Sequence, residues 1–407
     1  MKDPSLLERL RALPCGQQLL KAVAGRDGVH LVGGAVRDLL LGREPRELDV
    51  VVEGELDALA TALGPAATTH GRFGTATVQR GDCRWDLALA RAEHYARPGA
   101  LPVVRAAGID EDLRRRDVTV NAIALDLSSG QLRAVEGARA DLLTRRLRVL
   151  HDASFIDDPT RLWRIARYSA RLGFELEERT ARLAAQAVGA GALATVSGAR
   201  IGNELRLALQ EPDPLAALGA AAQLGLVPWM VADDDHDPDR VRAALELLPS
   251  GEGRPDLLVL GASLAVAEGE AEALLAELQF SVAERAVVRA CAQAPALALA
   301  ARNAATRASA LARVLRGVPV EAVALAGAHG AQDAARRWLK ELRDVELAID
   351  GDDLLAAGVP EGPQIGSLLA ATLDRRLDGQ LGPERDAQLQ AALQARDSRH
   401  TRSRSGQ

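Results

Sequence analysis

Apolar positions recur at helical spacing over residues 5–25, which predicts an amphipathic helix there. A short run, His30–Val32, ends at Gly33-Gly34, and helical spacing then resumes as far as Leu41. Leu48–Val52 is apolar except for Asp49 and short enough for a buried strand, and a second helix pattern covers about Leu56–Leu63. Alternation near Thr75–Gln79 and Arg84–Leu89 predicts two more strands. The first 150 residues therefore read as a mixed α/β unit.

After Asp157-Asp158-Pro159 the spacing is helical throughout. Gly173, Gly189–Gly191, Gly198, Pro212–Pro214 and Pro228 punctuate it. The acidic stretch ADDDHDPD at 232–239 reads as a linker, and PSGEGRPD at 249–256 as a further turn-rich segment. The final ARDSRHTRSRSGQ predicts a disordered, weakly basic tail. The expected class is α+β, with a mixed α/β unit at 1–150, helical regions at 151–231 and 232–390, and a tail at 391–407.

Composition adds limits. A chain of 407 residues is too long for one ordinary core. Aromatics are only 2%, so the cores must be built from Leu, Val, Ile and Ala. The net charge of −6 does not suggest a nucleic-acid binder, but its distribution does not exclude one: residues 1–210 carry 30 Lys+Arg against 27 Asp+Glu. Cys15, Cys83 and Cys291 lie far apart without metal-ligand spacing, so neither a zinc site nor a disulfide framework is expected, and a reducing cytoplasm is the default. The N-terminus does not resemble a signal peptide, and no stretch of 18 uncharged apolar residues suggests a membrane span.

The chemistry concentrates in the first half. In LVGGAVRDLLLGREPRELDVVVEG (31–54), Gly33 and Gly34 let the chain turn tightly, so that backbone N–H groups can approach a phosphate. Arg37 stands one turn into the following helix, with Asp38 beside it to orient it. Glu47 and Asp49 alternate on the next strand, and a period of two puts both carboxylates on one face, as a hard divalent cation requires. Asp86 is a third candidate, on a strand able to pair beside the first. Taken alone, each feature is ordinary: a turn, a surface strand, a solvated arginine patch at 114–116, a capped helix with an arginine face.

Taken together and in order, these segments resemble the bacterial tRNA nucleotidyltransferases and poly(A) polymerases, the class II branch of the polymerase β-like nucleotidyltransferases. The resemblance rests on GGAVRDLLLG with E-x-D, on DLRRRDVTVNAIA (112–124), similar to that family's RRDFTxNA, and on SFIDDPTRLWRIARYSARLGF (154–174), similar to its EDxxR region. VSGARIGNELRLAL (196–209) is similar to the helical element that supports the family's nucleotide pocket, and 349–373 to a C-terminal segment of tRNA nucleotidyltransferases. In that last segment the Gly358–Gly366 turn leads into a helix whose N-terminus can serve either RNA phosphate or structure alone. Glu47 stands where the family usually has Asp, Val118 where it has Phe, and Asp157 where it has Glu. No histidine–aspartate phosphohydrolase pattern is present among the scattered histidines.

The resemblance implies a nucleotidyltransferase head followed by an all-helical neck, body and tail, the latter regions holding tRNA. It implies Mg²⁺ on Glu47, Asp49 and Asp86, and a nucleotide held by Gly33, Gly34, Arg37, Asp38, Arg116, Asp117 and Asn121. It further implies that Asp158 and Arg161 read the base while Arg164 and Arg167 hold base or phosphates. The expected reaction is addition of CCA to the tRNA 3′ end from CTP and ATP. The alternatives are a CC-adding or A-adding specialist, a poly(A) polymerase, a non-catalytic RNA-binding protein of the same fold, and an unrelated helical scaffold. The sequence leaves the oligomeric state open.

Overall fold

The computed structural model describes residues 4–64, 67–70, 74–230 and 237–404. Two compact units divide the chain, Met1–Pro228 and Trp229–Gln407. The first begins with α1 (Pro4–Ala12) and α2 (Pro14–Ala22), not with one helix over 5–25. Pro14 forces the break, because a residue preceding proline is pushed out of the helical region, and Leu13 adopts φ −83, ψ 133.

The sheet follows. Its strands are β1 (Val29–Val32), β2 (Leu48–Val52), β3 (Ala67–His70), β4 (Thr75–Arg80) and β5 (Cys83–Leu89). A separate ribbon, β6 (Arg91–His94) with β7 (Val103–Ala106), precedes β8 (Ile123–Asp126) and β9 (Leu132–Ala134). Helices α3 (Gly34–Leu40), α4 (Leu56–Leu63), α5 (Ile109–Arg114) and α6 (Ala138–Thr144) connect them. Among the described residues the sheet order is β3-β4-β5-β2-β1-β8-β9. Only β2 and β5 run parallel within it.

Alternation along these strands sorts the side chains by chemistry. Leu48, Val50 and Val52 join Leu31, Trp85 and Leu87 in a core with Leu6, Leu10 and Leu19 of the first two helices. Each such fully buried large apolar group stabilises the fold by about 1.5–3 kcal/mol. Residues between them must point to the other face. That is where Asp49 and Asp86 lie, as register partners across the β2–β5 pair.

The cysteine expectation is corrected here. Cys15 on α2 and Cys83 on β5 form a disulfide, with Cα atoms 5.3 Å apart. They are separated by 68 residues, so no local spacing announces the pair; packing of α2 on the sheet brings them together. The scattered cysteines therefore offer no argument for a reducing compartment. Cys291 is free and buried.

The rest of the unit is β10 (Arg146–Leu147), α7 (Ser154–Asp157), α8 (Thr160–Leu172), β11 (Glu175–Leu176), α9 (Glu178–Gly189), α10 (Gly198–Leu209) and α11 (Pro214–Gln223). Helix α8 buries Leu162, Trp163, Ile165 and Ala166 and ends at Gly173, whose φ of 67 is the left-handed cap that glycine permits.

The second unit is helical from Pro238 to Arg404. Residues 231–236, most of the expected acidic linker, lie outside the described residues; Asp237 caps the helix Pro238–Leu247. The final helix runs Arg385–Arg404, so the tail expected to be disordered from 391 is helical, its Gln, Ala and Arg residues being good helix formers. Residues 405–407 of that tail lie outside the described residues. Gly358 has φ 79, but the turn expected over Gly358–Gly366 is shorter: the helix already begins at Pro363, and Gly366 lies within it. Among the described residues no helix is long and apolar enough to cross a membrane.

Candidate active site

Parallel pairing sets Asp49 beside Asp86, and Glu47 immediately precedes β2. One carboxylate oxygen from each of the three lies within 4.8 Å of the others. Thr77 on β4 donates to Asp86 at 2.6 Å, and Arg84 donates to it at 3.1 Å. An all-oxygen cluster of this size is a donor set that can hold a hard divalent cation. Burial first, and then the Glu47 and Asp86 charges, push the Asp49 carboxyl up to about 6, against the opposing charges of Arg116 and Arg164.

That shift has a cost. A carboxyl whose folded pKa exceeds its unfolded value destabilises the fold once pH rises above the unfolded value, and fully so above the folded one. Asp49→Asn is therefore expected to stabilise the metal-free protein at pH 7.5 by about 1–2 kcal/mol, the shift being discounted for partial exposure. The gain should shrink as pH falls from 6 towards 4. Thermal melts in chelator at several pH values measure it, and an unchanged or lowered Tm at pH 7.5 would contradict the electrostatic strain.

Beside the triad lies a cleft of about 780 Å³. Every predicted nucleotide residue lines it: Gly33, Gly34, Arg37, Asp38, Arg116, Asp117, Asn121, Asp158, Arg161, Arg164 and Arg167, together with Glu47 and Asp49. Asp86 joins through the carboxylate cluster. Gly33 has φ 66, a left-handed conformation that favours glycine; a Cβ there would sit 2.9 Å from the Arg116 guanidinium, the movable end of a long side chain.

Most of the charged side chains are anchored within the protein. Arg37 is 2% exposed; it donates to Asn121 Oδ1 at 2.6 Å and to Asp38 at 2.8 Å. Asp117 accepts from Arg164 Nε and the Tyr168 hydroxyl, both at 2.8 Å, and from Asn121 and the Val118 amide. Burial alone would raise the Asp117 carboxyl, but Arg164 and these hydrogen bonds hold it well below the usual carboxylate range. Arg161 donates to Ser154 Oγ at 2.6 Å and to the Arg115 carbonyl at 2.8 Å. Arg167 pairs with Glu204 and Glu211. Asp158 uses one oxygen, Oδ1, for Thr160 and Arg200. The Arg116 Nε is buried without a partner among the described residues.

Known proteins resemble this chain in sequence and fold. Residues 29–148 match the family described as the Poly A polymerase head domain. The chain is 36% identical over 359 residues to a CC-adding tRNA nucleotidyltransferase of Deinococcus radiodurans, covering 86% of this chain and 84% of that one. The chain belongs to the tRNA nucleotidyltransferase family. It is also 34% identical over 405 residues to an A-adding tRNA nucleotidyltransferase of Geobacter sulfurreducens, covering 91% of this chain and 45% of that protein. It spans about half or less of the length of several such curated relatives. The solved Thermotoga maritima CCA-adding enzyme complexed with tRNA superposes with a TM-score of 0.71 at 28% identity, covering 97% of this chain and 98% of that one.

Within this member of the tRNA nucleotidyltransferase family, further residues in and behind the cleft were not singled out from the sequence as site residues. Asp112 and Glu93 accept from Arg115, and Asp112 also from Arg116, so two carboxylates hold the arginine run. Tyr95 and Tyr168, the chain's two tyrosines, both line the cleft. Tyr168 had a signal, four residues after Arg164 on one helix face. Asp112 had a similar one, three and four residues before Arg115 and Arg116, and Tyr95 bonds Glu93 only two residues away; the Glu93–Arg115 contact had none, since it depends on how the β6–β7 ribbon packs on α5.

Proposed function

We propose that this chain adds C and A nucleotides, as CCA, to the 3′ end of tRNA, using CTP and ATP and releasing pyrophosphate. The observation that carries the reading is the juxtaposition of a three-carboxylate cluster with an arginine-lined cleft whose walls bear Asp158 and Arg161. The tRNA 3′-hydroxyl oxygen attacks the α-phosphorus; the bond to the β-phosphate oxygen breaks, and the hydroxyl proton is lost to solvent. Mg²⁺ at Glu47, Asp49 and Asp86 would supply activation of that hydroxyl and shielding of the phosphate charge.

The remaining work falls to the protein. Arg116, held by Asp112, offers the exposed part of its guanidinium to the triphosphate, and Asp117 holds Arg164 towards the same charge. Arg161 has five N–H donors, of which its contacts to Ser154 and Arg115 use two, so donors remain for a base edge. Asp158 keeps Oδ2 as an acceptor for the same edge. A paired donor and acceptor can select among bases as a template base does. Gly33, Gly34, Arg37, Asp38, Asn121 and Arg167 shape and brace the pocket. The first unit is then catalytic, with a neck to about residue 231. Residues 232–390 hold tRNA mainly through phosphate and shape contacts, and the setting is cytoplasmic.

Incorporation with Mg²⁺ on transcripts ending at the discriminator base, at C and at CC, with CTP and ATP separately and together, tests the reading. Full CCA on the shortest transcript supports it. Stopping after CC, or extending only the CC-ended transcript, would assign a specialist, as the names of two relatives allow. A long A-tail would assign poly(A) polymerase, and no incorporation would leave an RNA-binding protein.

Two variants refine the roles. Glu47→Asp should keep most activity, because Glu47 lies outside the strand, where the backbone can absorb a shift of roughly one bond length. A dead Glu47→Asp protein would mean that the site is built around the longer arm. Arg161→Ala should lower the preference for correct over incorrect nucleotides about tenfold, the value of one charge-assisted hydrogen bond. Unchanged selectivity in single-nucleotide incorporation would remove Arg161 from base reading.

A further inference from the structure

One buried carboxylate joins a helix of the cleft wall to the segment that carries the first acidic residue of the triad. Glu211 follows α10, and its side chain is only 4% exposed. Its Oε1 accepts from Arg167 Nε at 3.2 Å and lies 3.7 Å from Arg171 Nη1, so one oxygen serves two arginines of α8. Its Oε2 lies 3.7 Å from Arg46 Nη1 and is buried with no hydrogen bond among the described residues. Arg46 comes from the connection between α3 and β2, has a half-exposed side chain, and immediately precedes Glu47. Glu47 itself stands outside β2, whose pairing with β5 starts one residue later at Leu48. Behind the cleft, Arg46, Arg171 and Glu211 also line a second cavity of about 260 Å³.

We propose that Glu211 is a positioning residue for the metal centre, holding Glu47 in place by way of Arg46. This rests on the metal-binding role given to Glu47, Asp49 and Asp86 above. A carboxylate buried to this degree is retained only with cationic partners. Arg167 and Arg171 fix it to α8, and the remaining oxygen attracts the one arginine that comes from the metal-bearing segment. At 3.7 Å this last contact is attraction between charges rather than a fork of hydrogen bonds, so a lysine at position 46 would serve as well. With Arg46 held, the backbone beside Glu47 is held too, and its long side chain meets Asp49 and Asp86 from a fixed origin. With Arg46 released, Glu47 keeps its charge but loses its place, and the ordering of that segment is charged against cation binding. Glu211 thereby registers the acidic edge of β2 against the helix that bears the nucleotide-side arginines.

The test compares Arg46→Ala, Arg46→Lys, Glu211→Gln and the double variant Arg46→Ala/Glu211→Gln in the full chain. The Mg²⁺ concentration that gives half of the maximal rise in Tm reads the site without reference to activity. Hydrogen exchange of residues 43–48 in chelator reads the tether without metal. Arg46→Ala is expected to raise the Mg²⁺ half-point about two- to fivefold, the worth of an ion pair with one exposed partner. At saturating Mg²⁺ its kcat and nucleotide KM should stay near those of the wild type. Arg46→Lys should keep the wild-type half-point. Glu211→Gln should shift it by a similar factor, and the double variant should be no worse than the larger single effect, as expected for two parts of one device. Exchange across 43–48 should rise in Arg46→Ala and in Glu211→Gln. An unchanged half-point or unchanged exchange in Arg46→Ala, or additive effects in the double variant, would each overturn the proposal. So would a raised nucleotide KM with an unchanged half-point, which would make Arg46 a nucleotide contact instead. Should Glu211→Gln fail to fold, Arg46→Ala, at a half-exposed side chain, decides. A wild type that Mg²⁺ does not stabilise would refute the metal reading, and exchange in Arg46→Ala would then decide the tether by itself.

Discussion

Asp49→Ala is expected to abolish nucleotide incorporation, by roughly a thousandfold or more, while tRNA affinity stays near that of the wild type. The size follows from the several kcal/mol that a positioned metal ion contributes to phosphoryl chemistry. Asp49 lies at the centre of the cluster: it pairs in register with Asp86, and Glu47 stands two residues before it. Removing it leaves two carboxylates without the group that both approach. Because tRNA contacts are assigned mainly to the helical regions, binding should survive. Incorporation assays and tRNA titrations on the same preparation measure both, together with the Mg²⁺ dependence of Tm. The wild type should be stabilised by Mg²⁺ and Asp49→Ala should not. Substantial residual incorporation, or the same Mg²⁺ stabilisation in the variant, would refute the metal assignment.

Asp117→Ala should lower stability by about 1–3 kcal/mol, because it leaves the buried Tyr168 hydroxyl and Asn121 amide without their acceptor, whereas Arg164, with a side chain 38% exposed, keeps access to solvent. Asp117 is 6% exposed and is the shared acceptor for Arg164 and the Tyr168 hydroxyl. The resemblance alone suggests a residue that touches the nucleotide; its bonds describe an anchor for Arg164 and Tyr168. Its carboxyl is held below the ordinary range, so the stability it contributes is present above the unfolded value of about 4 and is lost only as pH falls below that. The Tm difference between wild type and Asp117→Ala should therefore persist from pH 8 to pH 5 and narrow in stronger acid. Differential scanning calorimetry across that range tests it. A variant with wild-type Tm whose only defect is a raised nucleotide KM would return Asp117 to direct contact.

Much of the catalytic half was legible because its signals are local. Glu47, Asp49 and the Gly33-Gly34 turn are read from strand alternation and backbone freedom within two dozen residues, and the structure keeps that geometry. Arg161, Arg164 and Arg167 are read from helical spacing, and α8 bears all three. Two local readings failed for equally local reasons: Pro14 divides the first helix, and the C-terminal Gln, Ala and Arg residues sustain a helix through Arg404.

What the sequence determined by itself is the set of reactive groups, the faces of the strands and helices that carry them, and the family they resemble. Period and propensity act over a few residues, and one chain suffices to show them. Tertiary structure alone decided which groups meet. Asp86 reaches Asp49 only because β5 lies parallel to β2, Cys83 reaches Cys15 only because α2 packs on the sheet, and Arg200 reaches Asp158 and Gly99 only because α10 packs beside α8. Contacts between residues tens of positions apart are set by how whole elements bury their apolar faces, and no short window of sequence contains that information.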